Sequence, residues 1–119
     1  MTLADIGIVQ QRELFEQEAD RLGRPPPVVE GADILVEPSR VLARLCEALG
    51  IAWDEAMLHW PPGRRESDGV WAPAWYDTVE RSTGFEAPAA RPPVKLDGEL
   101  RRIADEARPC YEALAKHKL

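Results

Sequence analysis

Proline and glycine divide this chain into short segments, and this division limits the helices that it can form. The sequence has 11 prolines and 8 glycines. Proline lacks a backbone N–H and is poorly accepted inside a helix, whereas glycine favours a helix end. Breaks are therefore expected at Gly23 and the Pro25-Pro26-Pro27 run that follows, at Gly50, at Gly84 and in the alanine- and proline-rich stretch 86–93.

Apolar residues recur at helical spacing between these breaks, and they predict four helices. The predicted helices cover residues 5–22, 38–49, 73–83 and 98–116. Asp54 can cap a further short turn that contains Met57 and Leu58. Pro109 lies inside the last predicted helix, and we expect it to kink or divide that helix.

Only one segment is typical of a β-strand. Val28 and Val29 begin a short extended run, and β-branched residues suit a pleated surface. A single strand leaves backbone groups without partners, so this one should require a sheet that the chain does not supply. The predicted fold is therefore mainly α, with four to five helices and one short strand.

The cysteines and histidines favour neither a metal site nor a reactive thiol. Cys46 lies on the apolar stripe of the second predicted helix, together with Val41, which indicates a place in the core. Cys110 is far from it in sequence, and there is no Cys-x-x-Cys pair. A zinc site needs about four converging ligands. Only His59 and His117 are available to help, so we expect no metal.

Charge and hydropathy exclude some classes of partner. The formal net charge is -6, which argues against sequence-independent binding to nucleic acid because such binding requires a positive face. No apolar run approaches the ~20 residues that span a bilayer. The first residues do not form a secretory signal. We therefore expect a cytoplasmic protein that binds neither nucleic acid nor a membrane.

One stretch, residues 60–76, suggests chemistry. It contains three of the four tryptophans, Trp60, Trp71 and Trp75. Its adjacent arginines, Arg64 and Arg65, could bind phosphate or sulfate through paired hydrogen bonds. Glycine lets a backbone approach an anion, and the start of the helix predicted downstream would add free N–H groups. The alternative is that Glu66 and Asp68 cancel the two arginines and that the tryptophans only attach the loop to the core.

Two segments resemble the carboxy-terminal part of the sulfotransferase family. The first, residues 27–51, resembles a strand, a Tyr-Glu-Asp-Leu turn, a proline and a helix that ends in Leu-Gly. Asp33 matches the aspartate of that turn, whereas Gly31 and Ala32 replace the tyrosine and glutamate. The second segment, residues 57–76, is more specific and resembles a bacterial branch of sulfotransferase-like proteins.

The resemblance implies a donor and a site for one end of it. Members of the family have an α/β P-loop-like fold and use 3′-phosphoadenylyl sulfate as sulfuryl donor. An Arg-x-Gly-x-x-Gly-x-Trp type loop near their carboxy end contacts the donor's 3′-phosphate. Arg64 or Arg65 would take the arginine position, with Gly69 and Trp71 at the later glycine and tryptophan positions. The middle glycine is missing, since Glu66-Ser67-Asp68 occupies that region.

The remaining implications concern the acceptor and the rest of the active site. Trp75 and Tyr76 are candidates for substrate binding. The family's 5′-phosphosulfate loop has no counterpart in this sequence, and neither has its catalytic base. His59 is not at the position of that base, and we assign no catalytic residue. We therefore interpret residues 1–119 as a single carboxy-terminal segment of the fold, without the amino-terminal donor-binding half. We expect this segment alone to bind the donor weakly or not at all.

A second reading remains open beside this one. The chain would be a non-catalytic helical interaction module or a dimerising remnant, whose uncovered apolar faces contact a partner or a second copy. If the chain is instead a segment of a sulfotransferase-like protein, a small-molecule acceptor would bind to the full-length protein. A complete enzyme of another class ranks last, because nothing in the sequence resembles a nucleophile with its base.

Overall fold

The computed structural model describes residues 1–119, with the side chain of Trp75 outside the described set. It is mainly helical, which confirms the predicted fold class. The helices are α1 Leu3–Ile6, α2 Ile8–Leu22, α3 Gly31–Val36, α4 Pro38–Leu49, α5 Ala72–Trp75, α6 Asp77–Arg81 and α7 Gly98–Ala115, with a 3-10 helix at Glu55–Leu58. Backbone contacts group them into a terminal unit, Met1–Glu30 with Ala89–Leu119, and a central unit, Gly31–Pro88.

The terminal unit is built on the packing of α2 and α1 against α7. Ile103 and Leu114, both on α7, are its buried apolar side chains. The helix predicted over residues 5–22 is divided at Gly7, whose φ of 73° lies in the left-handed region. Thr2 is the N-cap residue of α1, and its hydroxyl and its backbone N–H both donate to Asp5 Oδ2, at 2.9 and 2.6 Å, so the Asp5 side chain closes the first turn.

The predicted strand forms only an isolated parallel bridge, between Val28 and Lys118. The backbone N–H of Leu119 donates to the Val28 carbonyl at 3.0 Å. Glu30 strengthens this junction, because its carboxylate accepts from the Tyr111 hydroxyl at 2.7 Å and lies 3.5 Å from Lys118 Nζ. The chain's own carboxy-terminal residues therefore give Val28 a backbone partner through a single bridge. That this segment joins a sheet outside the chain stays a prediction.

The last helix, α7, continues through Pro109 and is not divided there. Proline in a helix interior costs about 3 kcal/mol, through a lost hydrogen bond and a steric clash. The helix has 18 residues and packs along α2 and α1, and Asp97 caps its start by accepting from the Leu100 N–H at 2.8 Å. Tertiary packing and capping outweigh the local penalty.

The central unit has α4 as its clearest element, and the sequence predicted this helix correctly. Pro38 occupies its first turn, and Gly50 follows its end with a φ of 68°. Val41 is 1% exposed and Cys46 is 8% exposed, so the predicted place of Cys46 in the core is confirmed. Asp54 caps the 3-10 helix by accepting from the Ala56 N–H at 2.8 Å, also as predicted.

Two parts of the central unit differ from the prediction. Residues 31–36, which include the turn that the family resemblance implies at Asp33, form α3, which packs on α4. The single helix predicted over residues 73–83 is replaced by the short helices α5 and α6, with Tyr76 between them. The helices α3 and α6 have six and five residues, which is too short for an apolar periodicity to indicate a helix. Packing on neighbouring elements stabilises these short helices instead.

None of the helices in the described part of the chain is long and apolar enough to cross a membrane. The described residues also contain no group of three or more histidine, cysteine or acidic side chains that could hold a metal ion.

Candidate functional site

The segment 60–76 is fixed at its beginning by Trp60. The backbone N–H of Trp60 donates to the Thr83 carbonyl at 3.1 Å, and its indole N–H donates to Ser82 Oγ at 2.9 Å. The indole also meets the Phe85 ring edge-on, with centroids 5.2 Å apart and an interplanar angle of 89°. For Trp60, the interpretation that tryptophan attaches the loop to the core is therefore correct.

An isolated antiparallel bridge between His59 and Gly84 lies beside Trp60. A Cβ atom at Gly84 would lie 3.1 Å from the Leu58 carbonyl oxygen and 3.2 Å from His59 Nδ1, so a larger residue there would have to displace these neighbours by a few tenths of an ångström. His59 is exposed and takes part in this backbone pairing. Its position indicates a structural function.

Gly63 makes the next attachment. Its backbone N–H donates to the Glu80 carbonyl on α6 at 2.6 Å. Its φ of 114° lies in the region that side chains with a Cβ rarely adopt. Gly63 therefore serves the turn of the backbone, and its conformation holds the first part of the segment against α6.

The two arginines lie in different environments. Asp68 closes a turn around Arg65: its carboxylate accepts from the Arg65 backbone N–H at 2.9 Å, and its own N–H donates to the Arg65 carbonyl at 3.0 Å. The Arg65 guanidinium donates to the Pro61 carbonyl at 3.3 Å. Arg64 is exposed, and within the described part of the chain it has neither an ion pair nor a hydrogen bond from its side chain. Asp68 therefore shapes the loop and does not pair with either guanidinium.

Near the carboxy-terminal end of segment 60–76, one buried residue follows two exposed ones. Ala72 is 1% exposed, whereas Trp71 is 71% exposed and Val70 is 87% exposed. Gly69 has open space where a Cβ would lie, and its φ is not in the left-handed region. The fold itself does not require glycine at position 69, whereas a Cβ at Gly84 would crowd its neighbours.

The expectation that a helix start would add free N–H groups is wrong. The helix α5 has only four residues, so its dipole is small. The N–H of Ala72 donates to the Gly69 carbonyl at 3.0 Å, and that of Ala74 donates to the Trp71 carbonyl at 3.1 Å. Pro73 has no N–H to offer. The first three residues of α5 therefore offer no free N–H group to an anion.

The two candidates for substrate binding are adjacent. The side chain of Trp75 lies outside the described residues. Tyr76 is 37% exposed, and its carbonyl accepts from the Glu80 N–H at 2.7 Å, so its backbone begins α6. A substrate role for either residue stays a prediction.

A small cleft in the central unit was missed by the sequence reasoning. It has a volume of about 180 Å³ and is lined by Thr78, Arg81, Ser82 and Glu86. Three of these residues have the spacing i, i+3 and i+4, which places them on one side of a helical turn. That spacing was the available signal, but polar residues at helical spacing usually form no more than a solvated face.

Comparison with known proteins decides the family. The sulfotransferase domain family matches residues 1–118. The chain belongs to this family. The predicted resemblance is thereby confirmed at the level of the family, while the bacterial branch and the P-loop-like fold stay predictions.

Two plant proteins are similar to this sulfotransferase-domain chain. It is 40% identical over 100 residues to branched-chain-amino-acid aminotransferase-like protein 1 of Arabidopsis thaliana, which covers 82% of the chain and 17% of that protein. It is 38% identical over 72 residues to branched-chain-amino-acid aminotransferase-like protein 2 of the same plant, covering 60% of the chain and 13% of that protein. The chain therefore spans a small part of these relatives. No solved structure matches it.

Proposed function

We propose that this sulfotransferase-domain chain uses the segment 60–76 to bind the 3′-phosphate end of a 3′-phosphoadenylyl sulfate donor. The observation that carries the proposal is the contrast within the segment. Trp60 and Ala72 hold it to the central unit, whereas Arg64 and Trp71 are exposed between these points. A loop that is fixed at both ends presents its exposed side chains with little loss of conformational freedom on binding.

Arg64 is the first candidate for the phosphate contact. Its guanidinium offers a fork of donors that matches phosphate oxygens. Since no partner among the described residues occupies it, binding would not require breaking an existing ion pair. Arg65 is the second candidate, and its guanidinium would have to leave the Pro61 carbonyl or share its donors with it.

Gly69 and Trp71 are the remaining donor-side residues. The open space at Gly69 admits a ligand close to the backbone. The exposed indole of Trp71 offers an apolar face on which a base can stack, and such stacking contributes about 1–3 kcal/mol. Together these groups fit the chemistry of a 3′-phosphorylated adenosine, which combines a dianion with an aromatic base.

When it is bound, the donor supplies a sulfuryl group for transfer to an acceptor hydroxyl or amine. Arg64 and Arg65 would bind the negatively charged 3′-phosphate and so orient the donor from the end that is remote from the sulfuryl group. Trp75 and Tyr76 are proposed for the acceptor side. We expect residues 1–119 alone to bind the donor weakly and to lack transferase activity, because these contacts hold one end of the donor only.

A titration with adenosine 3′,5′-bisphosphate, followed by amide chemical shifts, tests the proposal. We expect shifts at residues 64–71 that saturate at a lower concentration than with adenosine 5′-monophosphate, which lacks the 3′-phosphate. The Arg64→Ala variant should remove this difference, and Arg91→Ala, an exposed arginine of the terminal unit, should not. Equal responses to the two nucleotides would refute the 3′-phosphate assignment. Micromolar binding that Arg64→Ala abolishes would support the loop and refute the expected weak affinity.

The second candidate function is protein interaction, and the exposed apolar side chains of the central unit favour it. Val70, Trp71 and Val79 are 87%, 71% and 50% exposed. Exposed apolar patches commonly mark interaction surfaces. Light scattering of the purified chain distinguishes the two functions: a tight dimer that Trp71→Ser dissociates would support self-association, and a monomer at all concentrations would count against it.

A further inference from the structure

The polar cleft of the central unit, lined by Thr78, Arg81, Ser82 and Glu86, uses none of the residues assigned to the donor. Its volume of about 180 Å³ limits what it can hold. Pockets that hold drug-sized ligands have volumes of roughly 300–1,000 Å³. The cleft is therefore too small for a nucleotide and has the size for a molecule of a few heavy atoms.

The cleft is lined by one side chain of each charge. Arg81 is the last residue of α6, and Glu86 follows it after a short irregular stretch. Both are exposed, and within the described residues they do not form an ion pair with each other or with another side chain. A ligand with two opposite charges can therefore meet both without breaking an ion pair of the protein.

The two hydroxyl groups of the cleft are not equivalent. Ser82 Oγ donates to the Val79 carbonyl at 2.6 Å and accepts from the Trp60 indole at 2.9 Å. Its proton is thus already used, and its function is to fix one wall of the cleft. Thr78 has no side-chain hydrogen bond among the described residues, so its hydroxyl is available to donate or to accept.

We propose that this cleft binds a small zwitterion of amino-acid size. Its carboxylate contacts the Arg81 guanidinium, its ammonium group contacts the Glu86 carboxylate, and the Thr78 hydroxyl provides a third polar contact. A simple anion would meet the repulsion of Glu86, and a simple cation that of Arg81, so a ligand with both charges is favoured over either. The proposal does not depend on the donor-binding function of segment 60–76.

The experiment is an amide chemical-shift titration of the full chain with γ-aminobutyrate, acetate and methylammonium as probes. We expect γ-aminobutyrate to give saturable shifts at residues 78–86, and each single-charge probe to bind about fivefold more weakly, as for the loss of one solvent-exposed ion pair. Arg81→Gln and Glu86→Gln should each weaken γ-aminobutyrate about fivefold. Thr78→Val, which keeps the shape of the side chain, should weaken it less.

Two matched variants serve as controls, since both replace exposed charges elsewhere. Arg91→Gln lies in the terminal unit, and Glu47→Gln lies on α4 of the central unit. Neither should change the titration. Equal binding of acetate and γ-aminobutyrate, together with no effect of Glu86→Gln, would replace the zwitterion by a simple anion and overturn the proposal. The absence of saturable shifts at residues 78–86 would overturn the site itself.

Discussion

Replacing Trp60 by phenylalanine should destabilise the central unit measurably. The substitution removes the indole N–H that donates to Ser82 Oγ at 2.9 Å and moves the aromatic edge away from Phe85. A hydrogen bond of this kind contributes about 1 kcal/mol, and an edge-to-face aromatic pair about 0.5–1.5 kcal/mol. Phenylalanine keeps part of the ring contact. The expected loss is therefore about 1–2 kcal/mol.

The measurement is urea unfolding of the chain followed by circular dichroism, with Trp71→Phe as the matched control. Trp71 is 71% exposed, whereas Trp60 is half-buried, so the same chemical change should cost less than about 0.5 kcal/mol at position 71. Equal destabilisation by the two substitutions would refute the structural distinction between the tryptophans.

A double-mutant cycle separates the hydrogen bond from the ring contact. Ser82→Ala leaves the Trp60 indole N–H without its acceptor, whereas the pair of substitutions removes both partners. We expect a coupling free energy of about 1 kcal/mol between Trp60→Phe and Ser82→Ala. Additive effects would show that the bond does not contribute to stability, and that Trp60 is held by Phe85 and the backbone alone.

Three further perturbations test other parts of the structure. Gly84→Ala should lower the free energy of unfolding by about 1 kcal/mol, since its Cβ would lie 3.1 Å from a backbone oxygen, whereas Gly69→Ala should not lower it. Val41→Ala, at a fully buried site, should cost about 2 kcal/mol in urea unfolding. The backbone N–H and hydroxyl of Thr2 lower the pKa of Asp5. The resulting stability is present above the unfolded pKa and is lost as pH falls through the lower folded pKa, so Asp5→Asn should remove a decrease in thermal midpoint below about pH 4.

Helix α4 shows how far local signals can predict this fold. A proline at the first turn, an apolar stripe through Val41 and Cys46, and a glycine after the end all act within one helix, so their combined effect is visible in the sequence. By contrast, the break at Gly7, where the backbone enters the left-handed region, and the division at Tyr76 both interrupt a periodic apolar pattern. A periodic pattern that runs across such a break predicts one helix where the structure has two.

The candidate site divides in the same way between sequence and tertiary structure. The residues expected for an anion-binding loop, Arg64, Arg65 and Gly69, lie close together in the sequence. The sequence was therefore enough to predict both this loop and the family. The sequence could not show that Trp60 has a structural function while Trp71 is exposed. The partners of Trp60 are Ser82, Thr83 and Phe85.

Those contacts join residues more than twenty positions apart, and no local pattern indicates them. The charges of the polar cleft, Arg81 and Glu86, are likewise placed around one space only by the backbone that follows α6. Local sequence sets the propensity to form helices and the chemical groups available for binding. The distances between those groups depend on contacts formed when distant segments fold together, and only the tertiary structure shows which groups remain exposed to meet a ligand.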